Sequence, residues 1–205
     1  MDDRRGFLMQ LGTFAAIPAF DPGELEVSSA APDGQWDTSW IQALASASYR
    51  AVFNAEDIAD GAAMDYAEAF LNDFHAAHGT SDAQTRPVIV FRRLGTPMVL
   101  GDALWERYAI GDDSRITDGR THAPAKRNIY KGHIEKLRER GLISLVCSIA
   151  LGNWSSRAAR RSNRKLEDVL ADAKANLIPG TIIVPSGIYA LIRAQNAGCA
   201  FMPGT

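Results

Sequence analysis

Short runs of apolar, β-forming residues alternate along the chain with stretches of helical spacing, and this alternation constrains the fold more than any other feature. Continuous apolar runs of this length are typical of strands buried on both faces of a sheet. Strands that alternate with helices form parallel sheets. The sequence therefore predicts the α/β class: a single-domain, doubly wound, mainly parallel five-stranded sheet with helices on both faces. The predicted strands are 48–53, 87–91, 142–146, 181–184 and 199–202, and the predicted helices are 57–78, 103–108, 129–140, 148–161, 166–177 and 188–196.

The composition is that of a soluble globular protein, with 46% hydrophobic and 22% charged residues and a formal net charge of −2. This balance gives no reason to expect a nucleic-acid partner. A locally basic stretch at 157–165 is interpreted as a solvated helix face.

Two cysteines, Cys147 and Cys199, and four histidines show no zinc-type spacing, so the sequence predicts no metal site. Neither of the glycine-rich motifs that cradle nucleotide phosphates is present. We therefore expect no bound cofactor.

The N-terminal sequence has charged residues first, then an apolar stretch and then small residues. Arg4 and Arg5 precede one spacer and a Phe-Leu pair, which resembles the twin-arginine export motif. The apolar stretch that follows, as far as Phe20, is too short to span a bilayer comfortably, and small residues at 28–30 offer a cleavage site.

This pattern divides the chain into a signal sequence (1–30), a linker or lead-in (31–47) and a domain (48–205). The predicted location is the periplasm, and we expect no stable transmembrane span in the mature chain. Tryptophans at 36 and 40 are expected to dock on the domain.

Two segments in the C-terminal third resemble the DsrE/DsrF-like sulfur-relay family. Residues 141–151, GLISLVCSIAL, have a glycine, a β-run, a cysteine and the small residues that open a helix. Residues 179–204, PGTIIVPSGIYALIRAQNAGCAFMPG, have a V-P-S-G turn, a helix with L-x-R-x-Q-x-x-G and a short final strand. The resemblance implies a five-stranded doubly wound domain that assembles as a trimer or hexamer. Residues 105–128 look like an insertion found in exported relatives, of unknown role.

Sulfur transfer is the first functional hypothesis, with Cys147 as the catalytic residue. Cys147 follows a predicted strand and stands at the start of a helix, where the helix dipole and free amides favour a thiolate. A thiolate can accept sulfane sulfur as a persulfide and pass it to a partner protein. Ser148 is the candidate hydroxyl donor, Arg92 or Arg93 the candidate cation, and Ser186 the predicted N-cap of the last helix at the same sheet edge. Any activity would be sulfane transfer rather than hydrolysis or nucleotide-dependent redox chemistry.

The alternative is a non-catalytic, oligomeric binding or accessory domain in the periplasm. Long loops on a rigid scaffold commonly bind ligands, and Cys147 would then be a small buried hydrophobe, as is expected of Cys199. The side chains predicted to flank a pocket in that case are Arg92, Arg93, Trp105, Arg107 and Tyr108.

Overall fold

Five strands form the central sheet of the computed structural model, which describes residues 36–204. They are β1 (Tyr49–Ala55), β2 (Thr85–Phe91), β3 (Ile143–Cys147), β4 (Ile182–Val184) and β5 (Ala200–Pro203). Their order across the sheet is β4-β3-β2-β1-β5, and every neighbouring pair is parallel. The predicted fold class is confirmed.

Eight α-helices lie within the described residues. They are α1 (Ser39–Ala45), α2 (Ala62–His78), α3 (Asp102–Arg107), α4 (Ile110–Asp113), α5 (Lys131–Glu139), α6 (Ser148–Ser162), α7 (Leu166–Ala175) and α8 (Gly187–Asn196). Two 3₁₀ segments, Ala59–Gly61 and Arg93–Val99, follow β1 and β2.

The sheet has an apolar core on each face, because successive strand residues point to opposite sides. On β2, Ile89 and Phe91 face one core, whereas Val88 and Val90 face the other. The first core takes its helical side chains from α2 to α7, and the second takes them from α1 and α8. Helices therefore cover both faces, as predicted.

The chain changes faces at the edge of the sheet that holds β4. From β1 to β4 each strand is added beside the previous one, and the intervening helices lie on the first face. After β4, α8 crosses the second face and delivers β5 to the far side of β1. The helices after β3 and β4 thus both begin at the carboxyl ends of the strands but lie on opposite faces of the sheet. This arrangement opens a crevice at the carboxyl ends of β3 and β4.

Several element ends follow local chemistry that the sequence shows. Gly79 ends α2 in the left-handed conformation, with φ of 63°, as predicted for a glycine after a helix. The predicted insertion at 105–128 contains α4 and an isolated bridge between Thr117 and Pro124.

The predicted signal sequence and the first residues of the predicted linker lie outside the described residues. Within the rest of that linker, α1 packs on the second face through Trp40 and Leu44, which are buried. The expected docking of Trp40 is therefore confirmed. Among residues 36–204, no helix combines the length and apolar character needed to cross a membrane.

Candidate functional site

A cavity of about 420 Å³ opens at the carboxyl edge of the sheet, beside the ends of β2, β3 and β4. It lies at the crevice between α6 and α8, where parallel α/β folds place their ligands. Its lining consists of Arg92, Arg93, Leu94, Cys147, Ile149, Ala150, Asn153, Arg157, Ser186, Gly187 and Ile188. Four of the residues predicted from the sequence, Cys147, Arg92, Arg93 and Ser186, are therefore brought together.

Cys147 ends β3 and is the N-cap of the 15-residue helix α6. Its extended backbone, with φ of −68° and ψ of 120°, turns the side chain towards the first helical turn. The backbone N–H of Ala150 donates to Cys147 Sγ at 3.4 Å. The sulfur thus occupies the position that a capping oxygen usually takes, at the positive end of the helix dipole.

A second helix begins at the same cavity. Ser186 is the N-cap of α8, and its Oγ accepts a hydrogen bond from the backbone N–H of Tyr189 at 3.0 Å. The predicted capping role of Ser186 is confirmed. Two helix N-termini, those of α6 and α8, therefore border the cavity and add partial positive charge to it.

Ser148 joins the two turns instead of serving the thiol. Its hydroxyl donates to the carbonyl of Pro185 at 2.7 Å, because β3 and β4 are neighbours and their following turns meet at one edge. Ser148 does not line the cavity. The expectation that its hydroxyl donates to Cys147 is corrected accordingly.

Arg92 and Arg93 follow β2 and share one carboxylate. Arg92 binds Glu56 Oε2 at 2.5 Å and donates from Nε to Asn54 Oδ1 at 2.7 Å. Arg93 binds the other oxygen, Oε1, at 2.5 Å. Glu56 comes directly after β1, so the carboxylate and both guanidinium groups meet because parallel strands end at a common edge. Arg93 itself has a left-handed backbone, with φ of 48°, which is uncommon for a residue other than glycine.

Arg157 is the charged lining residue that was not predicted from the sequence, because the basic stretch around it was interpreted as a solvated face. Ala150, Asn153 and Arg157 line the cavity from one stripe of α6, at spacings of three and four residues. Long helical side chains extend towards the helix N-terminus. This tendency agrees with the fact that Arg157 lines the same cavity as Cys147. The signal lay in this spacing, which places Arg157 on the helix stripe that begins beside Cys147.

Trp105, Arg107 and Tyr108 do not line this cavity, which corrects the expectation that they flank one pocket together with Arg92 and Arg93. Arg107 and Tyr108 line a separate cavity of about 240 Å³. Trp105 is fully buried in the first core, and its Nε1 donates to the carbonyl of Pro97 at 3.2 Å. The hydroxyl of Tyr108 donates to Asp172 at 2.7 Å, and Arg107 binds the same carboxylate at 2.6 Å. Burial, followed by this hydrogen bond, raises the pKa of Tyr108. These side chains hold α3 to α7.

Cys199 lies in the second core, as expected, and it contrasts with Cys147. It precedes β5 and exposes 7% of its surface. Burial raises the pKa of Cys199 to about 11, although the charge of Arg50 acts in the opposite direction. The second cysteine is therefore held as a neutral thiol at physiological pH.

The mouth of the cavity carries exposed aliphatic side chains. Leu94, Ile149 and Ile188 belong to its lining and are 52%, 60% and 54% exposed. Ile192, one turn further along α8, is also exposed. Clusters of exposed aliphatic residues are typical of protein contact surfaces.

Within residues 36–204, no three His, Cys, Asp or Glu side chains are grouped as metal ligands would be. The chemical groups at the cavity are one thiol, three guanidinium groups, one amide and the capping hydroxyl of Ser186.

No protein-family model matches this chain, and no curated protein sequence matches it. Among solved structures, the chain is similar to a protein of unknown function, MTH1491 from Methanobacterium thermoautotrophicum. The two sequences are 17% identical, the match covers 76% of this chain and 98% of the other, and the TM-score is 0.46.

Proposed function

We propose that this protein is an exported sulfur carrier of the DsrE/DsrF-like kind, in which Cys147 takes up sulfane sulfur as a persulfide. One observation carries the proposal. The thiol of Cys147 caps helix α6 and lines a cavity that also holds Arg92, Arg93 and Arg157. Helix amides and nearby cations both favour the anionic sulfur that the chemistry needs.

The transfer step requires only the thiolate and a donor persulfide. The Cys147 thiolate attacks the outer sulfur of the donor, the donor S–S bond breaks, and its electron pair leaves with the donor thiolate. The product is a persulfide anion on Cys147, with no net oxidation. Delivery is the reverse exchange, in which an acceptor thiolate attacks the outer sulfur now held on Cys147.

Export and assembly are part of the same proposal. The order of Arg4, Arg5 and the apolar stretch supports export by the twin-arginine route to the periplasm. The exposed aliphatic side chains at the cavity mouth support a protein neighbour there, either another copy or a sulfur donor or acceptor protein. We expect a cyclic trimer or hexamer, and a monomer by light scattering at micromolar concentration would contradict this assembly.

The test is sulfur loading followed by intact mass, on the protein purified from the periplasm with and without reductant. Cysteamine persulfide serves as the donor. We expect wild type and Cys199→Ser to gain one sulfur atom that reductant removes, whereas Cys147→Ser gains none. Equal uptake by Cys147→Ser, or no uptake by wild type, would refute the carrier function. The same spectra report the mature N-terminus.

One observation favours the non-catalytic alternative, an accessory domain that binds a ligand without reacting. Cys147 exposes only 6% of its surface, as a cysteine that acts as a small core residue would. The arginines could then hold an anion at the cavity with no sulfur chemistry. The reactivity of Cys147 in the folded protein separates the two functions.

A further inference from the structure

The cavity beside Cys147 has an uncompensated positive charge. Three guanidinium groups line it and no Asp or Glu of residues 36–204 does, whereas the carboxylate of Glu56 pairs with both Arg92 and Arg93. Three positive charges and one negative charge leave an excess of two. The N-termini of α6 and α8 add to this excess.

Arg157 carries the part of this charge that is free to meet a ligand. Within residues 36–204, no carboxylate forms an ion pair with Arg157, whereas Arg92 and Arg93 are both engaged by Glu56. Arg157 lies on the same stripe of α6 as Ala150, whose backbone N–H binds Cys147 Sγ. A ligand whose anionic end binds Arg157 is therefore held in the same cavity as the thiol.

We propose that this cavity takes a small oxyanion that carries sulfane sulfur, of the thiosulfate class, and that Arg157 binds its sulfonate end. The inference rests on the proposed function and specifies the donor for that site. A guanidinium group matches a planar pair of sulfonate oxygens and binds them with two parallel hydrogen bonds. The persulfide of a cationic carrier such as cysteamine has no sulfonate group for Arg157 to bind.

The step balances without any further reactant. The Cys147 thiolate attacks the outer sulfur of thiosulfate, the S–S bond of thiosulfate breaks, and the bonding pair leaves with sulfite. One thiolate and one thiosulfate dianion become one persulfide anion and one sulfite dianion. The positive cavity stabilises the sulfite charge as it forms.

The experiment compares two donors on three proteins. Wild type, Arg157→Gln and Arg160→Gln are each charged with thiosulfate or with cysteamine persulfide. Arg160 is an exposed residue of the same helix that hydrogen-bonds Ser156, so Arg160→Gln is the matched control. Sulfite release and the mass of the Cys147 peptide report charging, and unfolding curves confirm that each variant is folded.

We expect Arg157→Gln to raise the thiosulfate concentration for half-maximal charging about tenfold, the effect of losing one charge-assisted contact. Its preference for thiosulfate over cysteamine persulfide should fall by a similar factor. Arg160→Gln should match wild type with both donors, and sulfate should compete with thiosulfate in wild type.

Two negative outcomes are distinguishable. The inference about the donor is wrong, and the carrier function stands, if cysteamine persulfide charges Cys147 but thiosulfate does not. The same conclusion follows if Arg157→Gln and wild type need the same thiosulfate concentration for half-maximal charging. If neither donor charges Cys147, the carrier function fails, and this inference fails with it.

Discussion

Replacing Gly187 by alanine should destabilise the protein, although alanine is the better helix former. A Cβ at Gly187, the first residue of α8, would lie 2.6 Å from Cδ of Arg92. Arg92 cannot simply swing away, because Asn54 and Glu56 hold its guanidinium group. Gly152, in the interior of α6, is the matched control, since a Cβ there has no atom within 4 Å.

The two substitutions are predicted to have opposite signs. Gly152→Ala should stabilise by about 0.5–1 kcal/mol, the usual gain for glycine in a helix interior. Gly187→Ala gains a similar amount from the backbone but loses hydrogen bonds to a charged group, worth about 1.5–3 kcal/mol. The net cost is about 1–2 kcal/mol. For a domain of this size each kcal/mol moves the midpoint of thermal unfolding by about 2–4 °C.

Thermal and denaturant unfolding of both variants measure these changes. In an Arg92→Ala background the contact with Cδ is gone, and the remaining tight contact with Cβ of residue 92, at 3.1 Å, offsets the backbone gain, so Gly187→Ala should then be nearly neutral. The reasoning is refuted if Gly187→Ala is as stable as wild type while Gly152→Ala shows its expected gain. It is also refuted if the cost of Gly187→Ala is unchanged in the Arg92→Ala background.

Three further predictions concern single features. Ser186→Ala should lower the free energy of unfolding by about 1 kcal/mol, and Ser186→Asp should restore it, because an N-cap needs a side-chain acceptor; equal denaturation midpoints for all three proteins would exclude the cap. Cys199 has a folded pKa of about 11, above its ordinary value of 9.0. The contribution of its neutral thiol to the free energy of unfolding is therefore complete below pH 9 and is lost as pH rises towards 11. Wild type should therefore lose more stability than Cys199→Ala across that range, and parallel curves would argue against the shift. Replacing Arg4 and Arg5 by lysine should retain the protein in the cytoplasm, and fractionation that still finds it in the periplasm would exclude the twin-arginine route.

The sheet was predictable because a strand that is buried on both faces has a continuous apolar run in its sequence. The run at 87–91 lies within β2, whose observed start at Thr85 was missed because Thr85 and Arg86 break the apolar pattern. Thr85 and Arg86 belong to β2 because they pair with Tyr49 and Arg50 of β1, and this pairing is a tertiary contact that the local sequence does not show.

The candidate site was predictable where it depends on strand ends alone. Cys147 ends one parallel strand, Arg92 and Ser186 come shortly after two others, and parallel strands end at a common edge. Arg157 and Trp105 depend instead on how a helix is rotated against its neighbours. The spacing of apolar residues at 105–108 does not distinguish an aromatic side chain in a pocket from one in the core. In the structure, Trp105 is buried in the first core.

The central claim is that Cys147 is a reactive thiol in the folded protein, and its alkylation by iodoacetamide at pH 8 tests this most directly. Peptide mass spectrometry gives separate rates for Cys147 and Cys199, with the denatured protein as the reference in which both react. With a pKa of about 11, only ~0.1% of Cys199 is thiolate at pH 8. We predict that Cys147 reacts at least about tenfold faster than Cys199. If Cys147 is inert until the protein is denatured, the sulfur-carrier function is contradicted, and the accessory binding domain takes its place.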